Sequence, residues 1–233
     1  MTGHFLKNIG LPYSFVVPVQ SEAFMDTHPD VLLAHSRLVW ITKKIAAGHD
    51  EEYQEPNELL LVGYKKKMDM GYHDDGEKVL GPTVATLSLG ATSTMFLRMK
   101  TKYFTGLHQT GNGINLLKDD PVLPGCLLYD SRRALKEQYE QGLLTELEYD
   151  EGRRKILKST SDSFPRIKME LHHGHMVVMH GADLQRYYEH SVVPDGGLRF
   201  AATARYIKEH TVKPEDIWMG RYELPSGQAY SGE

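Results

Sequence analysis

The chain has a single cysteine, Cys126, among its 233 residues, and it lacks any long uninterrupted apolar run. One cysteine excludes an internal disulfide and a zinc site built of thiolates, so a reducing compartment is expected. A membrane-spanning helix needs about 18 or more consecutive apolar residues, and none is present. Residues 1–10 also lack the basic and then apolar pattern of a signal peptide. These absences predict a soluble intracellular protein of the cytoplasm or nucleus with no membrane partner.

The chain also lacks an excess of positive charge. It has 27 Lys and Arg residues against 31 Asp and Glu residues, a formal net charge of −4 and a pI near 6.3. This balance gives no general attraction to a polyanion, so any contact with nucleic acid would have to be local. At 26.5 kDa the chain can bury a full core, and we expect one domain over residues 1–233 with an inserted lobe. No obligate protein partner is evident.

Short segments rich in Val, Leu, Thr and aromatic residues recur along the chain and are separated by Gly and Pro. This pattern is typical of an all-β sandwich or barrel core. The expected core strands cover residues 59–64, 83–89, 94–99, 167–171, 176–179 and 199–207, and residues 13–19 are expected to form an edge strand because Pro18 interrupts them.

A helix is expected at residues 29–47, where apolar residues recur at helical spacing. Thr27 resembles a helix-capping residue, so the triplet His28-Pro29-Asp30 is interpreted as a helix start and not as a metal site. Within this helix, His35 is expected at the surface and Trp40 in the core.

Residues 100–165 interrupt the strand pattern. Two helical segments, residues 131–141 and 145–158, are separated by Gly142 and predict a helical hairpin. Its basic residues alternate with acidic ones, which favours a solvated surface over a nucleic-acid-binding surface. Residues 103–130 are expected to form an ordered loop near the mouth of a pocket. A long insertion at a pocket rim often shapes substrate access, so we expect this one to influence substrate choice.

Five residues far apart in the sequence point to one chemistry. His73, Asp75 and His190 could hold one face of a six-coordinate ferrous ion and leave positions open for a co-substrate and dioxygen. Arg199 and Arg205 supply cations for the carboxylates of a dicarboxylic 2-oxo acid, which a guanidinium can bind in two-point fashion. The set predicts a dioxygenase that requires Fe(II), 2-oxoglutarate and O2 and hydroxylates a substrate C–H bond.

The histidines at residues 172–180 are alternative candidates for a metal ligand. They flank an apolar segment, so we expect them at strand edges and in polar pocket walls. His190 is preferred because it precedes a Ser-Val-Val-Pro run and stands nine residues before Arg199.

Six segments, taken in order, resemble the AlkB family of dioxygenases. They are G-Y-H-D-D-G-E (71–77), G-P-T-V-A-T-L-S-L-G (81–90), M-F-L-R (95–98), H-G-H-M-V-V-M (173–179), H-S-V-V-P (190–194) and R-F-A-A-T-A-R (199–205). The ordered combination is specific, although it covers only about a third of the chain. It implies a mainly β fold with flanking helices (α+β), in which a double-stranded β-helix, a jelly roll or cupin-like core, holds the iron at one open end.

The resemblance also implies roles for individual residues. The His-Asp-His set would bind the iron, Arg199 would pair with the distal carboxylate of 2-oxoglutarate, and Arg205 would lie by its iron-bound end. Tyr64 would hydrogen-bond the co-substrate. Glu77 matches an acidic family position that can face the substrate, and a solvent-exposed loop acid is the alternative.

The chain departs from the family pattern at Val62 and Ala201, where family members often have asparagine, so the co-substrate would lose two polar contacts. The insertion is not a feature of the compact nucleic-acid repair enzymes, and much of their nucleotide-recognition lid is expected to be missing.

Three functions follow. The first is oxidative N-demethylation of a methylated nucleobase or a similar N-methyl group, with release of succinate, CO2 and formaldehyde. It is supported by basic residues that could contact phosphate, which are Lys65, Lys66, Lys67, Arg98, Lys100 and Lys102. The alternative is a hydroxylase or oxidase of a small-molecule metabolite, as in secondary metabolism, which the missing lid favours. The third, a catalytically silent binding protein, is opposed by the intact set of five residues.

Overall fold

The chain folds into β-sheets flanked by helices. The computed structural model describes residues 5–13, 20–48, 53–65, 68–111, 113–157, 164–224 and 230–232. Within these residues the strands are β1 (Phe5–Gly10), β2 (Ser21–Glu22), β3 (Glu58–Tyr64), β4 (Met70–His73), β5 (Leu80–Gly90), β6 (Ser93–Met99), β7 (Leu107–Thr110), β8 (Gly113–Leu116), β9 (Ile167–Leu171), β10 (Met176–His180), β11 (Tyr188–Pro194) and β12 (Arg199–Ile207). The α-helices are α1 (Pro29–Ala46), α2 (Thr101–Thr105), α3 (Tyr129–Glu140), α4 (Glu146–Leu157) and α5 (Ala182–Tyr187).

Two mainly antiparallel sheets form a sandwich. The larger sheet has the strand order β10-β5-β12-β3-β1-β2, and the smaller sheet has the order β4-β11-β6-β9. This architecture confirms the predicted α+β class and is consistent with a double-stranded β-helix. Each expected core strand is present, whereas residues 14–19 of the expected edge strand lie outside the described residues. None of the described helices is long and apolar enough to cross a membrane.

Strand β12 shows how the sequence pattern places the polar residues. Ala202 and Ala204 belong to the same buried core cluster as Leu38 of α1. Arg199 and Arg205 line a cavity instead. Because successive side chains of a strand point to opposite faces, the odd-numbered residues from Arg199 to Arg205 line the cavity, while the even-numbered alanines pack under the helix.

Helix α1 begins at the expected place but with a different cap. The N-cap is His28, whose Nδ1 accepts a hydrogen bond from the Asp30 amide at 3.3 Å, so the capping role predicted for Thr27 is wrong. Pro29 takes the first helical position, which suits proline because the first amide has no partner within the helix. The triplet His28-Pro29-Asp30 is therefore a helix start, as expected.

His35 of α1 is completely buried, so the surface position predicted for it is wrong. Its Nδ1 lies 2.7 Å from the Tyr222 hydroxyl, and its ring centroid lies 4.6 Å from that of Phe24. Burial lowers the pKa of His35 from 6.5 to about 3. The imidazole is therefore neutral in the folded protein over the physiological pH range.

We expect acid to destabilise the protein partly through His35. The unfolded chain takes up this proton near pH 6.5 and the folded chain only near pH 3, so the free energy of unfolding falls as pH drops between these values. The full slope is about 1.4 kcal/mol per pH unit, or about 2 kcal/mol at pH 5. His35→Gln keeps a polar partner for Tyr222 but does not titrate. Urea unfolding at pH 7.5 and pH 5 should therefore show a smaller loss in the variant, and equal losses would contradict this role.

The contacts of the chain divide it into two compact units. The first consists of Met1–Phe96, Lys168–Arg186 and His190–Glu233, and the second of Leu97–Ile167 and Tyr187–Glu189. The second unit has a buried apolar cluster of its own, which contains Met99, Phe104, Val122 and Cys126.

The second unit contains the predicted helical hairpin, formed by α3 and α4. The start of α4 is a capping box: the Thr145 amide donates to Glu148 Oε2 at 2.8 Å, and the Glu148 amide donates to Thr145 Oγ1 at 3.3 Å. Lys158, at the expected end of this helix, lies outside the described residues.

Two arginines of the hairpin contradict its expected solvated character. Arg132 and Arg153 are 2% and 6% exposed. Arg132 Nη2 donates to Asp120 Oδ2 at 2.7 Å, and Arg153 Nη2 donates to the Leu117 carbonyl at 2.6 Å. These arginines therefore tie the hairpin to the segment that precedes it.

The loop predicted at residues 103–130 is only partly a loop. Strands β7 and β8 pair as an antiparallel hairpin, in which Thr110 is the register partner of Gly113. Helix α2 ends at Thr105, within the same range.

Candidate metal centre

The structure brings His73, Asp75 and His190 together within the first unit. His73 ends β4 and is the register partner of His190 on β11, and their ring centroids lie 4.2 Å apart. Asp75 follows two residues later, with its Oδ2 3.8 Å from His190 Nε2. One ligand atom from each residue lies within 4.8 Å of the others, and among the described residues only this group of three or more His, Cys, Asp or Glu side chains could hold a metal ion.

Both histidines have the protonation form that can bind a metal. His73 Nδ1 lies 2.8 Å from the carbonyl oxygen of Gly71. Because a carbonyl only accepts a hydrogen bond, Nδ1 carries the hydrogen and Nε2 keeps its lone pair for a metal. Burial lowers the pKa of His190 to about 4, and the nearby His73 acts in the same direction. At neutral pH His190 is therefore an uncharged imidazole, which is the form that binds a metal.

The donor set fits the implied ion. Two imidazole nitrogens and one carboxylate form the facial arrangement that suits non-haem Fe(II) with open coordination positions. His73, Asp75 and His190 would hold the iron.

The competing histidines have other contacts. His173 Nδ1 accepts a hydrogen bond from the Gly90 amide at 2.9 Å, and His175 Nδ1 accepts one from the His172 amide at 3.3 Å. His180 Nδ1 lies 2.8 Å from Thr83 Oγ1. These contacts agree with the expected positions at strand edges.

Arg199 is a buried cation with unmet donors. It is 1% exposed, its Nη2 donates to Ser88 Oγ at 3.1 Å, and its guanidinium carbon lies 4.7 Å from the centre of the Tyr64 ring. Within the described part of the chain, Nε and Nη1 have no hydrogen-bond partner of good geometry. Buried donors without partners are costly, and a carboxylate ligand would supply an acceptor and the opposite charge.

Arg205 differs from Arg199 because it already has an anion. Its Nε donates to Glu58 Oε2 at 2.8 Å and its Nη2 donates to Glu58 Oε1 at 2.7 Å. Glu58 is 0% exposed and is the register partner of Arg205 across β3 and β12. Sequence reasoning missed Glu58, because its pairing depends on the register between β3 and β12.

Glu77 and Tyr13 lie near Asp75, one of the three candidate ligands. Burial raises the pKa of the Tyr13 phenol, the nearby Glu77 carboxylate raises it further, and Asp75 adds to the effect. Glu77 Oε2 and the Tyr13 hydroxyl are buried, but neither has a hydrogen bond of good geometry to the described residues. The Tyr13 phenol and the Glu77 carboxylate therefore interact with each other near Asp75.

The remaining cavity wall is mainly apolar. Val62 and Ala201, the two departures from the family pattern, are register partners and pack together with Tyr64 in one buried cluster. The two replacements therefore form one apolar contact in the wall. The other apolar residues that line the cavity are Leu60, Met70, Met95, Leu171, Val177, Met179 and Val192.

Comparison with known proteins agrees with this geometry. The family model of the 2OG-Fe(II) oxygenase superfamily matches residues 10–205, which include the three candidate ligands and both arginines. No curated protein matches the chain. The matched region is most of the chain, and the three candidate ligands lie together within it. The chain therefore belongs to the 2OG-Fe(II) oxygenase superfamily and, within it, to the AlkB-like family.

Proposed function

We propose that this oxygenase oxidatively removes N-methyl groups from a methylated nucleobase or a similar nitrogen compound. Bound Fe(II), with 2-oxoglutarate and O2, supplies an oxygen atom to a substrate C–H bond and releases succinate and CO2. If the oxidised carbon is an N-methyl group, the hydroxymethyl product breaks its C–N bond to give the free N–H group and formaldehyde. No side chain has to remove a proton from carbon.

In this proposal the chain binds and orients the reactants. His73, Asp75 and His190 hold the iron. Arg199 receives the distal carboxylate of 2-oxoglutarate with donors of its buried guanidinium, and Tyr64 lies beside that guanidinium. The apolar wall keeps water from the reacting carbon, which favours oxidation of the substrate over side reactions.

The observation that carries the N-demethylase proposal is the Glu77 carboxylate, which has one buried oxygen and lies beside Tyr13 and near Asp75. A buried carboxylate oxygen needs an N–H donor or a positive charge. A nucleobase methylated on a ring nitrogen can supply both, because methylation there can make the ring cationic and neighbouring amino groups donate hydrogen bonds. A hydrocarbon substrate would offer Glu77 neither a hydrogen-bond donor nor a positive charge.

We expect Glu77→Gln to lower demethylation at least tenfold, because a hydrogen bond to a charged group contributes about 1.5–3 kcal/mol. The 2-oxoglutarate requirement should change little, since Arg199 is the proposed anchor for that molecule. Formaldehyde and succinate should be measured in parallel. Formaldehyde yields equal to those of the wild type would contradict a substrate contact of Glu77.

A small-molecule hydroxylase is the alternative, and the apolar cavity wall favours it. The basic residues proposed to contact phosphate give mixed support to nucleic acid. Lys65 is exposed, Arg98 Nε donates to Glu189 Oε1 at 2.8 Å, and Lys66 and Lys67 lie outside the described residues.

Mass spectrometry of the products separates the two functions. The protein should be incubated with Fe(II), 2-oxoglutarate and either methylated oligonucleotides or a metabolite extract. Loss of a methyl group from the oligonucleotide, with matching formaldehyde, supports N-demethylation. Gain of one oxygen by a metabolite, with unchanged oligonucleotides, would replace that proposal with hydroxylation.

A further inference from the structure

The hairpin of β7 and β8 in the second unit is an incomplete sheet. Within the described part of the chain it has only two strands, and an isolated two-stranded hairpin is at best marginally stable in water. Ile114 of β8 is 69% exposed. We propose that the edge of β7 that faces away from β8 accepts an extended acidic peptide of a partner protein as a third strand. Binding at this edge does not depend on the reaction proposed above.

The ladder of the hairpin shows which backbone groups lie on that edge. The Leu117 amide donates to the Gly106 carbonyl at 2.9 Å, so this pair is hydrogen-bonded. Hydrogen-bonded and non-hydrogen-bonded pairs alternate along antiparallel strands, and Gln109, with Ile114 as its register partner, comes three residues after Gly106. Gln109 and Ile114 are therefore a non-hydrogen-bonded pair, and the backbone N–H and C=O groups of Gln109 point away from β8.

A groove follows this edge. Its volume is about 490 Å³, and both faces of β7 contribute to it, since the successive residues Leu107, His108 and Gln109 all line it. Leu107 and Ile114 supply aliphatic surface, and none of the described residues that line the groove is aromatic. Single-stranded nucleic acid binds chiefly by stacking its bases on aromatic rings, whereas an extended peptide needs a strand edge and room for its side chains. The groove therefore favours a peptide over a nucleic-acid strand.

The groove also has a local excess of positive charge. Lys100 and Lys102 line it, and the one acid among its described lining residues, Glu189, accepts a hydrogen bond from Arg98 Nε at 2.8 Å. The exposed Arg154 lines an adjoining groove on the same hairpin. These cations attract an acidic partner. They also oppose pairing of two copies of the chain through the same edge, because like charges would then face each other.

The first test measures binding of a fluorescein-labelled peptide that alternates Glu and Val over about ten residues. Fluorescence anisotropy with the full chain, in about 50 mM salt, should show saturable binding. Binding should weaken at least tenfold in Lys100→Glu/Lys102→Glu, because two attractive charges become repulsive. A matched peptide of Lys and Val should also bind at least tenfold more weakly than the acidic one. Absence of saturable binding by the acidic peptide, or equal affinities of the two peptides, would overturn the proposal.

The second test distinguishes strand addition from contact with side chains. Gln109→Pro removes the outward N–H group and leaves the hydrogen bonds of the ladder, and proline is tolerated on edge strands. Gln109→Ala is the matched control, because it keeps the N–H group and loses only the side chain. The acidic peptide should bind at least fivefold more weakly to the proline variant and within twofold of the wild type to the alanine variant. Equal affinities of the two variants would refute strand addition.

Folding of the variants is checked by thermal denaturation followed by circular dichroism. If Gln109→Pro does not fold, N-methylated peptides test the same point on the unaltered protein. Methylation of only the Val amides or only the Glu amides blocks opposite edges of an extended peptide. One of these two peptides should therefore lose binding while the other retains it, and any other pattern would overturn the proposal.

Two other occupants of the edge would be recognised in the same experiments. A thymidine oligonucleotide of about 15 nucleotides that binds more tightly than the acidic peptide, and competes with it, would replace the peptide with nucleic acid. A dimer in light scattering that Gln109→Pro converts to a monomer would assign the edge to a second copy of the chain. Either result would overturn the proposal of an acidic peptide.

Discussion

His73→Ala, Asp75→Ala and His190→Ala should each abolish 2-oxoglutarate turnover while the fold persists. Each substitution removes one of three ligands, so the ion loses its facial arrangement and its open positions are no longer defined. Because a catalytic metal contributes several kcal/mol of transition-state stabilisation, succinate formation should fall by about three orders of magnitude or more. The β-sandwich should remain, since His73 and Asp75 are only partly buried and lie at and beyond the end of a short strand.

Two matched control variants distinguish the loss of a metal ligand from a nonspecific loss of structure or activity. His175→Ala removes an exposed histidine whose Nδ1 contact is a local backbone amide. Asp74→Ala removes the carboxylate next to Asp75 in the sequence. Asp74 Oδ1 accepts a hydrogen bond from the Gly76 amide at 2.9 Å. Both controls should keep most of the succinate formation of the wild type. Near-normal turnover by His190→Ala would refute its assignment as a ligand and would promote one of the histidines at residues 172–180.

The sequence was sufficient to predict the strand faces near the site. In the segment R-F-A-A-T-A-R, the alternation of side chains places Arg199 and Arg205 on one face of a strand whatever its partners are. The expected strand at residues 199–207 has the bounds of β12. The grouping of His73, Asp75 and His190 depended instead on the chemistry of the donors and on the family resemblance, because periodicity did not reveal β4 or β11.

The contact between Glu58 and Arg205 could not be predicted from the sequence, because it depends on pairing between distant strands. Glu58 meets Arg205 only because β3 and β12 pair in one particular register. A shift of one residue would turn Glu58 to the other face of the sheet. No local pattern specifies that register, so the sequence did not reveal the carboxylate partner of Arg205.

The hairpin formed by β7 and β8 has a local signal in the sequence. The segment L-H-Q-T-G-N-G-I-N-L contains a Gly-Asn pair at its centre, and two-residue connections of this kind are typical of tight hairpins. Composition alone suggested a loop, whereas residues 107–116 contain β7 and β8. The burial of Arg132 had no such signal, because it depends on Asp120, which lies outside the helix.

Arg199→Ala should raise the concentration of 2-oxoglutarate required for turnover by two or more orders of magnitude. The substitution removes the cation and the two unmet donor atoms that the structure leaves in the cavity. Loss of one partner from a buried charged pair costs about 3–5 kcal/mol, and each 1.4 kcal/mol is a factor of ten in affinity. The KM for 2-oxoglutarate and the Kd from calorimetry should rise together.

Affinity for the metal distinguishes two roles of Arg199, which could bind the co-substrate or stabilise the whole site. Arg199 is not one of the three ligands, so Mn(II) affinity in Arg199→Ala should stay near that of the wild type. Arg199→Lys should recover only part of the 2-oxoglutarate affinity, because an ammonium keeps the charge but cannot bind a carboxylate with the planar two-point geometry of a guanidinium. If 2-oxoglutarate affinity did not change in Arg199→Ala, the distal carboxylate would have to bind elsewhere. Arg205 would then be the first residue to test as the anchor.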